Sequence, residues 1–322
     1  MQIAIFGLGR MGMQIAKRLH KNDFEVLAWN RSEAPREEFE KFITDQSTSP
    51  LIPPLARGGE GGVGSKIFAN ITDTVLALTG QPRIFWLMLP HNIIDDFLND
   101  LGPHFKEGDI VIDGGNSFYK DSIRRAEQLS KKGIHYFDCG TSGGVWGEEN
   151  GFALMVGGPV DQWRHIEPIM KTLSGGDNYG LVGKNGAGHF VKMVHNGVEY
   201  GMMEAIAEGY SVLEASPFKL DLAQVTKIYQ QGSVVRSWLV DLMADIFAKE
   251  NISATNGIVK ATGEGEWTVK TAEELGLDVR VIRDALEVRR ESEIPENQNL
   301  FRNKILALLR KQFGGHGIEK KE

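Results

Sequence analysis

The stretch "IAIFGLGRMGMQIAKRL" leaves few folds open to the chain that carries it. A short apolar run of strand type, Ile3 to Phe6, meets Gly7, Gly9 and Gly12, and an amphipathic helical pattern follows at once. Glycines at this spacing, between a strand and a helix, have separate tasks. Gly7 permits a tight turn, Gly9 lets the backbone approach a pyrophosphate, and Gly12 lets helix and strand pack closely. The start of that helix offers unpaired N–H groups and a partial positive charge to phosphates. The expected ligand is a dinucleotide, held by Gly7, Leu8, Gly9, Arg10, Met11 and Gly12.

The rest of the first half keeps the same rhythm. "FEVLAW", "RIFWLML", "DIVID", "IHYFD" and "FALMVGG" are strand-like. Between them "NIIDDFLNDL", "FYKDSIRRAEQLSKK" and "PVDQWRHIEPIMKTL" are helix-like, the alternation of a mostly parallel sheet with helices on both faces. After about residue 185 the strand signals stop, and helices are expected near 187–215, 221–231, 235–249, 266–275, 279–292 and 298–313. The fold class is therefore α/β, a Rossmann-type N-terminal domain over 1–182, followed by an all-α C-terminal domain over 183–322, with "GLVGKNGAG" at the join. The site is expected in the cleft between them. Residues 45–66, rich in Pro and Gly, suit no regular element and are expected to form a long surface loop, either mobile or a lid.

A net charge of −7 argues against a general nucleic-acid or membrane-surface binder. The lone cysteine, Cys139, cannot form an internal disulfide, which suits a reducing compartment. No apolar run approaches the roughly 20 residues of a membrane span. With no basic leader ahead of "QIAIFG", the expected location is cytoplasmic.

The second strand ends in "LAWNRSE". An NAD-preferring site usually has an acidic residue there to bind the ribose 2′-hydroxyl. Here stand Asn30, Arg31 and Ser32. A carboxylate would repel a 2′-phosphate, whereas Arg31 would attract it and Asn30 and Ser32 could donate hydrogen bonds. NADP is expected over NAD; the competing reading of Arg31 is a solvated surface side chain.

The stretch "GHFVKMVHNGVEYGMMEAIAEGY", residues 188–210, mixes two patterns. Phe190, Val191, Val194, Val198, Met202 and Ile206 are expected to form a buried helix face. Lys192, His195, Asn196 and Glu199 line one side of the same helix at i, i+3, i+4 and i+7. Lys192 reads either as a snorkelling stem with a wet head or as a proton acceptor, its pKa brought by burial from about 10.4 towards about 7–8. Glu199, two turns or roughly 10 Å along the axis, could serve the other end of a small substrate as an acid. Asn196 can bind substrate or orient the lysine, and His195 reads equally as a substrate contact or a structural histidine. Gly197 and Gly201 cost helix stability and suggest a close approach to the backbone.

"GAGHFVKMVHNGVEYG" resembles the substrate-binding helix of 6-phosphogluconate dehydrogenases, the decarboxylating enzymes of the pentose phosphate pathway. "IVIDGGNSFYKDS" is similar to the family segment whose asparagine, here Asn116, lies beside the nicotinamide and the substrate. "DCGTSGGVWG" resembles its Ser-Gly-Gly substrate loop, here Ser142, Gly143 and Gly144, and "GLGRMG" with "NRS" its cofactor signature. The lysine-helix and Ser-Gly-Gly patterns are partly shared with the wider β-hydroxyacid dehydrogenases; "HNGVEYG" discriminates more.

The resemblance implies oxidative decarboxylation of 6-phospho-D-gluconate to D-ribulose 5-phosphate and CO2, with Lys192 as base, Glu199 as acid, Asn196 beside them and no metal. It implies that Arg289 binds the phosphate and that Tyr200 adds a hydroxyl. "RKQFGGH" resembles the family's tail motif, which would bring Arg310 and His316 into a neighbouring chain's site in a homodimer or homotetramer. Two departures stand out. The long members have a larger helical domain, and the family's Lys-Gly-Thr-Gly-Lys-Trp phosphate segment is here "TGEGEW", leaving Thr262 and Lys260 as possible contacts beside the acidic Glu264 and Glu266. The rival readings are a dehydrogenase of an unphosphorylated β-hydroxy acid such as 3-hydroxyisobutyrate, and a non-catalytic NADP-binding sensor.

Overall fold

The computed structural model describes residues 1–47, 64–261 and 263–318. They fall into two compact units, Met1–Lys192 and Met193–Glu322. The first is built on eight strands: β1 (Gln2–Phe6), β2 (Glu25–Trp29), β3 (Lys66–Phe68), β4 (Ile84–Leu87), β5 (Ile110–Asp113), β6 (His135–Ser142), β7 (Ala153–Gly157) and β8 (Tyr179–Gly183). They lie in the order β3-β2-β1-β4-β5-β6-β7-β8. β6 and β7 pair antiparallel; the other neighbours are parallel. The order reverses beside β1, and the glycine turn leaves the end of that strand, where open α/β sheets bind ligands.

The apolar runs of the first half reflect burial on both faces. Ile3, Ile5, Val26, Ala28, Trp86 and Ile112 pack with Ile15 and Leu19 of the helix Arg10–Lys21 and with Ile166 and Met170 of the helix Trp163–Ser174. Their neighbours Ala4, Phe6, Leu27, Phe85, Leu87 and Val111 point the other way, against Phe97 and Leu101 of the helix Ile94–Leu101 and Leu129 of the helix Tyr119–Ser130. The expected mostly parallel sheet is present. Two strands escape the sequence pattern. β3 has only three residues, and the glycines of "YGLVG" in β8 hide its strand character. The helices Glu33–Ser47 and Ile71–Ala77 likewise escape it; Asn70 caps the second, its Oδ1 accepting from the Asp73 N–H at 2.8 Å. Of the expected loop 45–66, residues 48–63 lie outside the described residues; Asp45 to Ser47 end a helix and Lys66 opens β3.

The second unit is helical, as expected. A helix Ala187–Glu214 runs on into it, followed by Leu222–Gln230, Trp238–Lys249, Glu264–Glu274, Arg280–Glu291 and Phe301–Gly314. Local chemistry explains where these depart from the sequence-based bounds. Ser237 caps the third, accepting from the Val240 N–H, so that helix starts at Trp238 and not at 235. Leu300 is extended, so the last helix starts at Phe301. In that last helix Asn303 to Arg310 are all buried, packed by Met203, Tyr210, Leu242, Met243 and Ile246. A helix buried all round carries little amphipathic signal.

The expected buried face of the helix Ala187–Glu214 is corrected. Val191, Val194, Val198 and Met202 are exposed, and Ile206 is only half-buried. The buried face is instead Met193, Gly197, Tyr200, Met203, Ala207 and Tyr210. Glycine decides this. At Gly197 a Cβ would press on the Thr268 side chain, which itself donates to the Met193 carbonyl at 2.7 Å, so close packing runs along the glycine side and the valines turn outward. Among the described residues no helix is long and apolar enough to cross a membrane.

Candidate active site

Gly7 sits at φ +102°, and its N–H continues the ladder by donating to the Trp29 carbonyl at 2.9 Å. A side chain there would strike the Met88 carbonyl, and one at Gly12 would strike the Gly7 carbonyl; Gly9 faces open space. The helix Arg10–Lys21 begins with no side-chain cap and no acidic residue in its first turn. An uncapped helix end beside a glycine open to approach fits a pyrophosphate. Arg10 is exposed beside it, Leu8 is buried, and Met11 packs on the core. Asn30 has a task the sequence did not reveal. Its Oδ1 accepts from the Leu8 N–H at 2.9 Å and its Nδ2 donates to the Ser32 carbonyl at 3.1 Å, tying the glycine turn to the end of β2. Arg31 and Ser32 are exposed.

Asn116 is exposed on the loop after β5, and a buried polar network holds that loop. Asp113, fully buried, accepts from the Gly115 N–H (3.1 Å), the Ser117 hydroxyl (2.8 Å), the Tyr136 hydroxyl (2.9 Å) and Arg125 (3.4 Å). Arg125, 2% exposed, continues to Asp95 at 2.9 Å and to the His91 carbonyl at 3.2 Å. Burial and the Asp113 charge push the Tyr136 hydroxyl well above its ordinary pKa, which keeps it a donor. Cys139, pushed up to about 12 by burial, is inert as a thiol.

β6 ends at Ser142, followed by Gly143 and Gly144 at φ +133° and +61°, backbone shapes that disfavour a side chain. The same strand seats the lysine-bearing helix. The buried Asp138 carboxylate accepts from the Gly186 N–H at 2.6 Å and the His189 N–H at 2.8 Å, serving two of the helix's unpaired donors. His189 Nδ1 lies 2.7 Å from the Ser122 hydroxyl. A side chain on Gly140 would collide with the Cβ of Lys192, and one on Gly188 with the carbonyls of Asp138 and Met155. Lys192 is thus positioned by backbone packed against backbone.

On the helix itself Lys192, His195, Asn196 and Glu199 are all partly buried. His195 Nδ1 is 3.3 Å from Asn196 Oδ1 and 3.9 Å from Glu199 Oε2. Next along, Tyr200 is buried with the Arg289 guanidinium over its ring, 3.3 Å from the centroid. Arg289 is 3% exposed and donates to the Met203 sulfur at 3.5 Å, a weak acceptor for a cation. Burial holds its pKa down, as does Arg310, while Tyr200, Glu199 and Glu204 oppose the shift.

Arg310 lies inside the helix Phe301–Gly314, within the helix expected near 298–313; it is buried and donates to the Lys260 carbonyl of its own chain at 2.7 Å. His316 follows the helix-ending Gly315 and is partly buried. Thr262 lies outside the described residues. Glu266 pairs with Lys270 at 3.0 Å, and Glu264 is buried at the start of its helix. Asp113, Arg125, Asp138, Gly140 and Glu204 were missed by the sequence reading. An aspartate ending each of the apolar runs "IVID" and "YFD" was the available signal for two of them.

A glycine turn at the switch point of a parallel sheet, opening an uncapped helix, with a lysine seated against β6 of the same sheet, defines a dinucleotide-binding oxidoreductase. The comparison with family models narrows that class. Residues 2–183 match the NAD binding domain of 6-phosphogluconate dehydrogenase and residues 188–320 match its C-terminal domain, so the chain belongs to the 6-phosphogluconate dehydrogenase family. The Bacillus subtilis protein YqeC is 40% identical over 322 residues, spanning all of both chains. An NAD(+)-dependent, decarboxylating 6-phosphogluconate dehydrogenase of Haloferax volcanii is 36% identical over 326 residues, again spanning both. Among solved structures, the Plasmodium falciparum 6-phosphogluconate dehydrogenase superposes with a TM-score of 0.79 at 26% identity, covering 96% of this chain and 70% of that one. The resemblance carried by the lysine helix therefore extends over the whole chain.

Proposed function

We propose that the protein oxidatively decarboxylates 6-phospho-D-gluconate to D-ribulose 5-phosphate and CO2, reducing NADP. The observation that carries this reading is the row on one helix: Lys192, Asn196 and Glu199, then Tyr200 beneath the buried Arg289. A buried guanidinium set over a ring and beside a thioether suits an anionic ligand, and a phosphate takes its planar donors well.

A nicotinamide cofactor held at the Gly7–Gly12 turn would supply the hydride acceptor for C3. Lys192 takes the proton of the 3-hydroxyl as that carbon is oxidised. The β-keto acid then loses CO2, because the new carbonyl accepts the electrons of the breaking bond. Lys192, now an ammonium, stabilises the enolate oxygen. Glu199, two turns along, delivers a proton to C1 of the enediol. Asn116, Ser142 and the Gly143–Gly144 backbone are assigned to substrate, with Asn116 also beside the nicotinamide.

NADP is preferred in this reading because Arg31 is exposed at the end of β2 and no carboxylate stands at Asn30. The test is an absorbance assay of 6-phosphogluconate with NADP and NAD in parallel, on wild type and Lys192→Ala. We expect NADPH formation by wild type and none by the variant, with cofactor binding intact. A variant keeping most of its kcat removes Lys192 as base, and no reduction of either cofactor removes the activity.

A further inference from the structure

Glu204 follows Tyr200 by one helical turn, on the face that holds Arg289. It is 7% exposed, and its Oε1 has no hydrogen-bond partner among the described residues. Arg302 Nε stands 3.4 Å from that oxygen, within ion-pair range, yet its aligned hydrogen bond runs to Asn303 Oδ1 at 3.3 Å. Three helices bring charge to the carboxyl. Glu208 comes from its own, Arg302 from Phe301–Gly314 and Arg289 from Arg280–Glu291. A buried carboxylate with an unserved oxygen is costly unless paired or protonated.

We propose that Glu204 is a specificity and positioning residue for the phosphorylated substrate: neutral, it leaves Arg289 to the phosphate, and ionised, it competes for the same guanidinium. Phosphate binding is then coupled to uptake of a proton from solvent by Glu204. Burial pushes this carboxyl up to about 7; Arg302 and Arg289 oppose the shift and Glu208 adds to it. The switch therefore falls in the neutral range. The inference rests on the assignment of Arg289 to the phosphate.

The test is the KM for 6-phosphogluconate between about pH 7 and 9, where the phosphate's own second ionisation near pH 6 is complete. In wild type KM should rise several-fold, up to about tenfold, the effect of one unit of linked pKa shift. In Glu204→Gln it should stay low across the range. The inhibition constant of gluconate, which lacks the phosphate, should respond to pH alike in both proteins. Arg289→Ala run alongside separates the two claims. An unchanged preference for the phosphorylated over the unphosphorylated acid in that variant overturns the phosphate assignment. A raised KM in Arg289→Ala, with the wild-type pH slope surviving in Glu204→Gln, overturns the role of Glu204 alone. Should Glu204→Gln fail to fold, calorimetry of substrate binding to wild type near pH 7.5, in buffers of different ionisation enthalpy, decides the matter. Proton uptake supports the coupling, and its absence overturns it.

Discussion

Arg289 stacks on Tyr200, its guanidinium 3.3 Å from the centre of the phenol ring. Both side chains are buried, so the cation is held where water screens it little. Stacking needs a planar group. Arg289→Lys should therefore behave as a severe substitution, raising KM for 6-phosphogluconate by roughly tenfold or more through loss of the flat, two-pronged donor. Steady-state kinetics will show this as a change in KM larger than that in kcat.

The contact between Gly140 and Lys192 predicts the opposite split. Gly140→Ala would press its methyl on the Lys192 Cβ and on the Gly188 carbonyl. Displacing a base by a fraction of an ångström to an ångström costs up to about 10²-fold in rate. We expect kcat to fall by that order while titration shows NADP binding unchanged, since Gly7 and Asn30 lie elsewhere on the sheet edge.

Asn30 offers a cofactor test. Asn30→Asp retains the oxygen that accepts from the Leu8 N–H, gives up the donor to the Ser32 carbonyl, and adds a negative charge at the strand end assigned to the 2′-phosphate. The ratio of kcat/KM for NADP to that for NAD should drop by at least about tenfold, a repulsion of some 1.4 kcal/mol. An unchanged ratio would show that this strand end does not read the ribose.

The network behind Asn116 makes stability depend on acid. Arg125, through its hydrogen bond, and Arg124 hold Asp95 at about 2, below the ordinary 3.8. The folded state thus favours the carboxylate, and the stabilisation is complete above about pH 4 and lost as pH falls towards 2. Asp95 is partly exposed, so solvent screens much of the effect. Asp95→Asn should cost no more than about 1 kcal/mol at pH 7, and denaturant melts of the two proteins should converge near pH 2.

The local pattern made some parts of the protein legible and hid others. The glycine turn could be read because its geometry is a property of adjacent residues: Gly7 needs positive φ, and Gly12 must clear a carbonyl five residues back. The helical row from Lys192 to Glu199 was legible for the same reason, since 3.6-residue periodicity places side chains along a helix. The apolar face of that helix was misjudged. Periodicity groups Val191, Val194, Val198 and Met202, but it cannot say whether their side or the glycine side meets the rest of the chain.

The sequence by itself determined the parallel sheet, the dinucleotide turn and the helix with its lysine and glutamate, because each depends on neighbours within one or two turns of backbone. Only the tertiary structure decided that Asp138 and Gly140 seat the lysine, that Arg125 braces the Asn116 loop, and that Arg289 and Glu204, 85 residues apart in the chain, share one buried neighbourhood. Those relations come from long-range packing. Burial changes what a carboxylate or a guanidinium can do, and burial is a property of the folded whole.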